Sequence, residues 1–363
     1  MSPKGTVLVA GASGVIGEAT VDRFVALGWN VIAVSRRRPE GDGAAKAHHV
    51  ALDLRDPVAT ATGVAGLPPV DHVVYAALYE KPGLVPGWFE QDQMDTNLAM
   101  LANLMEPLLA RGGIRHVSLL QGTKAYGAHH HAIPVPAREA APRDPHDNFY
   151  WLQEDWLRAA SARAGFDWTI WRPQLVVGGA VGAAMNVAPV IGVFAALARE
   201  EGVPFGFPGG PAYVWEAVDA ALVARACAWA AESPAARNEI FNLTNGDVFA
   251  WRDLWPALAD TLGITPGPDA PLRLAEWLPA RAAVWDRLVA RHGLKPLSLA
   301  AILGESHHYA DLCFATGETE VRTPTFLSTI KLRQAGFHDV VDTAVMFRHW
   351  LGVLQARRVL PPA

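Results

Sequence analysis

Thr6-Val7-Leu8-Val9-Ala10-Gly11-Ala12-Ser13-Gly14-Val15-Ile16-Gly17 reads as an apolar strand that runs straight into a glycine loop and then into a helix. The glycines stand where the turn is tight, where backbone must approach a diphosphate, and where helix meets sheet. The exposed N–H groups and the positive end of the helix then receive the anion. Gly11, Ser13, Gly14, Val15, Ile16 and Gly17 are therefore expected cofactor contacts. The bland alternative is a glycine-rich helix start with no ligand.

Outward from this loop, short β-rich runs alternate with helical patterns, as in a doubly wound parallel sheet. The expected strands are 6–10, 30–35, 48–54, 72–77, 115–120, 167–172 and, later, 239–243. Helices are expected over 14–27, 92–110, 150–164, 218–231 and 251–262, with Glu154 and Asp155 in the first turns of the third. No low-complexity linker or charge run divides the chain. The expected fold is α/β, a Rossmann-type doubly wound sheet with a smaller, mainly helical C-terminal lobe. Residues 1–178 form the dinucleotide-binding part, to which 212–245 return, and 179–211 with 246–363 form the substrate-binding lobe.

At the end of the second strand stands Ser35-Arg36-Arg37-Arg38, where an NAD-binding chain would usually carry an acid for the ribose 2′-hydroxyl. Guanidinium forks suit a 2′-phosphate instead, so NADPH is expected over NADH, with Ser35, Arg36 and Arg37 in contact with it. Three arginines in a loop can also be a plain solvated run. Asp53 and Leu54 end the third strand, and Ala76 and Ala77 the fourth; by position these flank adenine and the nicotinamide-side ribose. Gln121, Pro173 and Leu175 complete the expected cofactor contacts.

A short-chain dehydrogenase ordinarily places its catalytic tyrosine four residues before a lysine on one helix, and Tyr-x-x-x-Lys occurs nowhere in this chain. Lys124 lies instead in Leu120-Gln121-Gly122-Thr123-Lys124-Ala125-Tyr126-Gly127, just after the fifth strand. A tyrosine begins the next helix in Asn148-Phe149-Tyr150-Trp151-Leu152-Gln153-Glu154-Asp155. Strand end and helix start can meet in space.

With these motifs, the chain resembles the progesterone 5β-reductase and iridoid synthase-like family, which splits the tyrosine-lysine pair in this manner. The likeness takes in the glycine loop, Val34-Ser35-Arg36-Arg37, Trp171-Arg172-Pro173 and Arg237-Asn238-Glu239-Ile240-Phe241-Asn242-Leu243-Thr244-Asn245-Gly246. It continues less closely through Ala283-Val284-Trp285-Asp286, Gly336-Phe337 and His349-Trp350-Leu351. What the resemblance implies is NADPH-dependent 1,4-reduction of an enone or enal. Tyr150 would stabilise the enolate oxygen, and Lys124 would fix the ribose and lower the phenol's proton affinity by its charge. Three departures stand out: Gln121 and Ala125 in the lysine motif, and Leu78 where plant members carry a tryptophan. The substrate pocket is therefore expected to be remodelled. Leu78, Tyr126, Met185 and Phe326 are its expected lining residues.

Composition narrows the alternatives. With 31 Lys+Arg against 36 Asp+Glu, a net charge of -5 offers no basic field for nucleic acid, and a small-molecule partner is expected. Cys227 and Cys313 match no metal or redox spacing and are expected in the core of a reduced, cytoplasmic protein, monomeric or homodimeric. The N-terminus shows no targeting segment. Residues 174–198 carry no charge and imitate a membrane span, but Gly178, Gly179, Gly182, Asn186 and Pro189 break the stretch into strand end, loop and soluble helix. His129-His130-His131 lacks a ligand partner at metal spacing and is read as a surface loop, with no metal expected. Trp251, Trp255, Trp277 and Trp285 could line a pocket but are more naturally core. Two other functions remain open: a carbonyl reductase or sugar-nucleotide epimerase/dehydratase, and a non-catalytic NADP(H) sensor.

Overall fold

The first strand, β1 (Thr6–Ala10), sends Val7 and Val9 to one face of a sheet and Leu8 and Ala10 to the other, and all four side chains are fully buried. A strand apolar on both faces belongs inside a parallel sheet covered by helices on each side. In the computed structural model, which describes residues 4–363, that sheet has seven strands. The others are β2 (Asn30–Ser35), β3 (His48–Ala51), β4 (His72–Tyr75), β5 (His116–Leu120), β6 (Asp167–Pro173) and β10 (Glu239–Leu243). Between the last two lie the short β7 (Val176–Val177), β8 (Val214–Trp215) and β9 (Val218–Asp219); β11 (Phe249–Ala250) follows and pairs with β8, while β7 pairs with β9.

The large sheet runs β10-β6-β5-β4-β1-β2-β3 with every neighbour parallel. Its order reverses between β1 and β4, which opens a crevice at their carboxyl ends. Helix α1 (Val15–Ala26) covers one face together with α6 (Ala220–Glu232); α2 (Pro57–Ala65), α3 (Gln91–Arg111) and α4 (Phe149–Ala164) cover the other. Two strands end earlier than their apolar runs suggest. Past β3, Asp53 turns the chain, its carbonyl accepting from Asp56 N–H at 3.0 Å. Past β4, Ala76 is drawn against the glycine loop. Helix α2 shows no clear apolar period; Asp56 caps it by accepting from Ala59 N–H at 2.9 Å, with Pro57 in its first turn.

Helix α5 (Val187–Glu201) buries every residue from Val187 to Ala198 in the C-terminal core. Around it pack α7 (Trp251–Thr261), α8 (Leu274–Trp277), α9 (Ala282–His292), α10 (Leu299–Leu303), α11 (Ser306–Cys313) and α13 (Thr343–Ala356), whereas α12 (Ile330–Gln334) lies against β10 of the large sheet. The apolar run is thus hidden by protein, and among the described residues no helix is long and apolar enough to cross a membrane. Trp251, Trp255 and Trp285 are buried in this core, with Trp255 stacked on Phe205 at 4.8 Å between centroids. Cys227 and Cys313 are buried free thiols.

Candidate active site

The glycine loop is shaped by what cannot fit in it. A Cβ at Gly11, whose φ is +77°, would lie 2.6 Å from the Ala76 carbonyl oxygen, and one at Gly17 would lie 2.1 Å from the Gly11 oxygen. Gly14 caps α1 without a side-chain partner, which leaves the first-turn N–H groups turned to the crevice. A diphosphate fits this cradle. Gly11, Ser13, Gly14, Val15 and Ile16 line a cavity of about 910 Å³, whereas Gly17 lies beneath it and serves the packing of helix on loop.

Along one flank of the cavity, Ser35 Oγ donates to the Arg37 carbonyl at 2.6 Å and so shapes the turn that carries Arg36 and Arg37. Both guanidinium groups are exposed; Arg37 Nη2 donates to the Val181 carbonyl at 3.2 Å, and Arg36 has no protein partner among the described residues. Asp53 lines the same flank but is engaged by Arg55 at 2.6 Å, which holds its carboxyl down to about 2. Leu54, Ala76, Ala77, Gln121, Pro173 and Leu175 also line the cavity, as do Leu78 and Met185.

Lys124 and Tyr150 come together through Asn148. Its side-chain oxygen caps α4 by accepting from Tyr150 N–H at 3.0 Å, while its amide nitrogen donates to the Lys124 carbonyl at 2.9 Å. Gln121 adds a second tie, donating to the Tyr150 carbonyl at 3.2 Å and accepting from Arg172 Nε at 3.1 Å. Beneath it, buried Glu154 meets Arg143 at 3.0 Å, Arg158 at 2.9 Å and Arg172 at 3.5 Å. Burial pushes the Glu154 carboxyl up, but these arginines hold it below the usual range. Glu154 therefore serves an ion-pair network, beyond the reach of the helix terminus.

The Tyr150 hydroxyl faces the cavity with no protein hydrogen-bond partner among the described residues. Burial and the charge of Glu80 raise the phenol well above its ordinary value, so it stays protonated. This corrects the expectation that Lys124 lowers it. The Lys124 ammonium lies 5.9 Å from the Tyr150 ring centre and 4.2 Å over the Trp88 ring, and it pairs with Glu80 Oε1 at 3.4 Å. Burial in turn lowers the Lys124 ammonium, opposed by Glu80.

Glu80 has no counterpart among the sequence-predicted site residues. Its other oxygen accepts from Gln93 Nε2 at 2.6 Å and Trp88 Nε1 at 3.1 Å. Gln93 and Asn97 on α3 also take the backbone N–H groups of Lys81 and Tyr79, each at 2.9 Å, and so clamp the loop after β4 over the cavity. The only sequence signal for Glu80 was its place beyond the carboxyl end of a central strand. Trp88, Tyr213, Trp215, Tyr309 and Leu312 add apolar wall to the cavity from a 3-10 turn, β8 with the residue before it, and α11, none of which carries a motif.

Two expected lining residues are elsewhere. Tyr126 turns away from the cavity, its hydroxyl donating to Asn242 Oδ1 at 2.6 Å and its ring covered by Arg172 at 4.9 Å. Phe326 is held by its carbonyl, which accepts from Ala137 N–H at 2.7 Å; its neighbour Thr325 reaches the cavity wall instead. The histidine run also differs from expectation. His129, His130 and His131 line the cavity mouth, and His146, which comes from the segment before α4, joins the first two, with one ring nitrogen of each within 4.8 Å of the others. Burial, His130 and Lys124 hold His129 down to about 3, and His130 is lowered as well.

The Glu80 side chain is 2% exposed and that of Lys124 11%. Removing one partner of so buried a pair strands the other charge. Glu80→Gln should therefore cost about 3–5 kcal/mol in urea unfolding of the cofactor-free protein. A loss below about 1 kcal/mol, the range of exposed pairs, would show that water screens the contact.

Comparison with known proteins agrees with this architecture. Residues 7–244 match the NAD dependent epimerase/dehydratase family. The (S)-8-oxocitronellyl enol synthase of Antirrhinum majus is 28% identical over 98% of this chain and 92% of its own length. The 3-oxo-Δ(4,5)-steroid 5β-reductase of Arabidopsis thaliana is 30% identical over 81% of this chain and 79% of its own. Among solved structures, UDP-glucose 4-epimerase of Thermotoga maritima shares the fold with a TM-score of 0.68 at 18% identity, covering 97% of this chain and 99% of that one. With the strand order, the glycine cradle and the separated lysine and tyrosine, these matches show that the chain belongs to the NAD dependent epimerase/dehydratase family, in its progesterone 5β-reductase and iridoid synthase-like branch.

Proposed function

We propose that the protein is an NADPH-dependent reductase that saturates the conjugated carbon-carbon double bond of an apolar enone or enal. The observation that carries this reading is the Tyr150 phenol: cavity-facing, held protonated by burial, and unengaged at its hydroxyl by any of the described residues. A phenol that keeps its proton can lend a hydrogen bond to a carbonyl oxygen as enolate charge grows on it. Preorganised donors of this kind contribute about 2.7–4 kcal/mol to the barrier. Carbonyl reduction and epimerisation in this class ordinarily pair the tyrosine with a lysine four residues on along one helix, a spacing this chain lacks.

NADPH, when bound, supplies the hydride to the β-carbon. The glycine cradle suits its diphosphate, and Arg36 and Arg37 its 2′-phosphate. Asp53, the acid on that flank, is committed to Arg55. Lys124, paired with Glu80, is suited to hydroxyls of the nicotinamide-side ribose. Trp88, Tyr213, Trp215 and Leu312 line the cavity with apolar surface, which favours an apolar substrate. The relatives support the chemistry: one is named for 5β-reduction of a 3-oxo-Δ(4,5) steroid, which is a conjugated enone.

With NADPH and 2-cyclohexen-1-one the purified protein should form cyclohexanone; formation of the allylic alcohol would assign carbonyl reduction, and binding without turnover a sensor. Tyr150→Phe keeps the ring and deletes one donor, so kcat should fall by roughly 10²–10³-fold while NADPH binding survives. Full turnover by that variant would move the donor role to another residue. Replacing Arg36 and Arg37 together by glutamine should weaken NADPH at least about tenfold more than NADH, since a charge-assisted hydrogen bond contributes about 1.5–3 kcal/mol. Equal losses would remove the 2′-phosphate assignment.

A further inference from the structure

Beside the Lys124 and Tyr150 pair, the cavity mouth carries a second group of reactive side chains. The ring centroids of His129 and His130 are 4.2 Å apart, those of His129 and His146 5.0 Å, and those of His130 and His146 4.6 Å. No hydrogen bond joins these rings among the described residues, and His129 Nδ1 is buried with no partner at all. Buried polar nitrogens are nearly always satisfied, so an orphan in a cluster of imidazoles calls for a ligand. His146 Nδ1 donates to Asp144 Oδ1 at 2.6 Å, which puts the ring's lone pair on Nε2. That nitrogen is 3.1 Å from the Asn148 amide nitrogen, which keeps its bond to the Lys124 carbonyl at 2.9 Å if the contact is given up. A carboxylate behind an imidazole is the usual outer partner of a metal-ligating histidine. Asp144 Oδ2 meanwhile accepts from His131 Nε2 at 2.8 Å, which is why the third residue of the run stays out of the group.

We propose that His129, His130 and His146 bind one divalent transition-metal ion, with Zn²⁺ as the best-fitting cation, Asp144 as outer partner and a coordination position open to the cavity. Three neutral imidazoles suit Zn²⁺, Cu²⁺ or Ni²⁺, and the absence of a carboxylate among the three ligands disfavours Ca²⁺ and Mg²⁺. At a Zn–N distance of about 2.0–2.1 Å, tetrahedral nitrogens stand about 3.4 Å apart. Nitrogens now within 4.8 Å of one another must therefore draw closer, a movement open to His130, which lies on an exposed loop. The Lys124 ammonium opposes a cation here, and Glu80 offsets it. The proposal does not rest on the proposed reduction, because its ligands take no part in that chemistry, although His146 contacts the Asn148 that ties Lys124 to Tyr150.

The test uses the full chain, free of any purification tag and stripped by a chelator. Calorimetry should find a single saturable equivalent of Zn²⁺, and Co²⁺ should give the visible bands of tetrahedral nitrogen coordination, abolished by Zn²⁺. His130→Ala, at an exposed position whose variant should keep the parent's metal-free melting temperature, should weaken binding at least about tenfold and erase the bands. Asp144→Asn should weaken it about 10–100-fold. His308→Ala, in the separate His307–His308 pair, should change neither. Absence of saturable uptake, or uptake undiminished in His130→Ala, would overturn the site and leave adventitious surface binding only.

Discussion

The site hangs on the side chain of Asn148. One small amide satisfies an orphan N–H at the start of α4 and a carbonyl of the 3-10 turn after β5, so that Tyr150 and Lys124 are set by the same group. A tyrosine and lysine on one helix need no such device, since helical spacing puts them on one face. Here the two arrive on separate elements. Their separation frees the lysine to lean on Glu80 and Trp88, and leaves the phenol alone with whatever occupies the cavity.

Around this joint the protein gathers several buried or partly buried charges. Glu80 with Lys124, and Glu154 with Arg143, Arg158 and Arg172, form two neighbouring networks, with Gln121 bonded to both Glu154 and Arg172. Such networks contribute little net stability, because desolvation offsets attraction. What they contribute is position. The loop after β4 and the start of α4 are held from below by bonds that tolerate few alternatives, while the apolar residues above them remain free to define the substrate.

The sheet was legible because its signals are local: an apolar strand, a glycine loop and a helix start lie within one short stretch, and the pattern recurs. The parts that were not legible depend on distance. Glu80 becomes a site residue only because Gln93 and Asn97 fold its loop back over the crevice. His146 reaches His129 and His130 from the far side of a long loop, so a search for metal spacing along the chain misses it. Tyr126 was misjudged for the opposite reason. It sits in the lysine motif, yet Asn242 on the neighbouring edge strand captures its hydroxyl. Likewise the phenol's proton affinity followed from burial and from Glu80, neither of which the motif contains.

In the proposed reduction, hydride arrives at the carbon β to the carbonyl while Tyr150 holds the oxygen. Turnover of 2-cyclohexen-1-one with NADPH deuterated at the transferred position tests this most directly, with the label located in the product by NMR. Deuterium is expected on C3 of a saturated ketone. Deuterium on C1 of an allylic alcohol would contradict it.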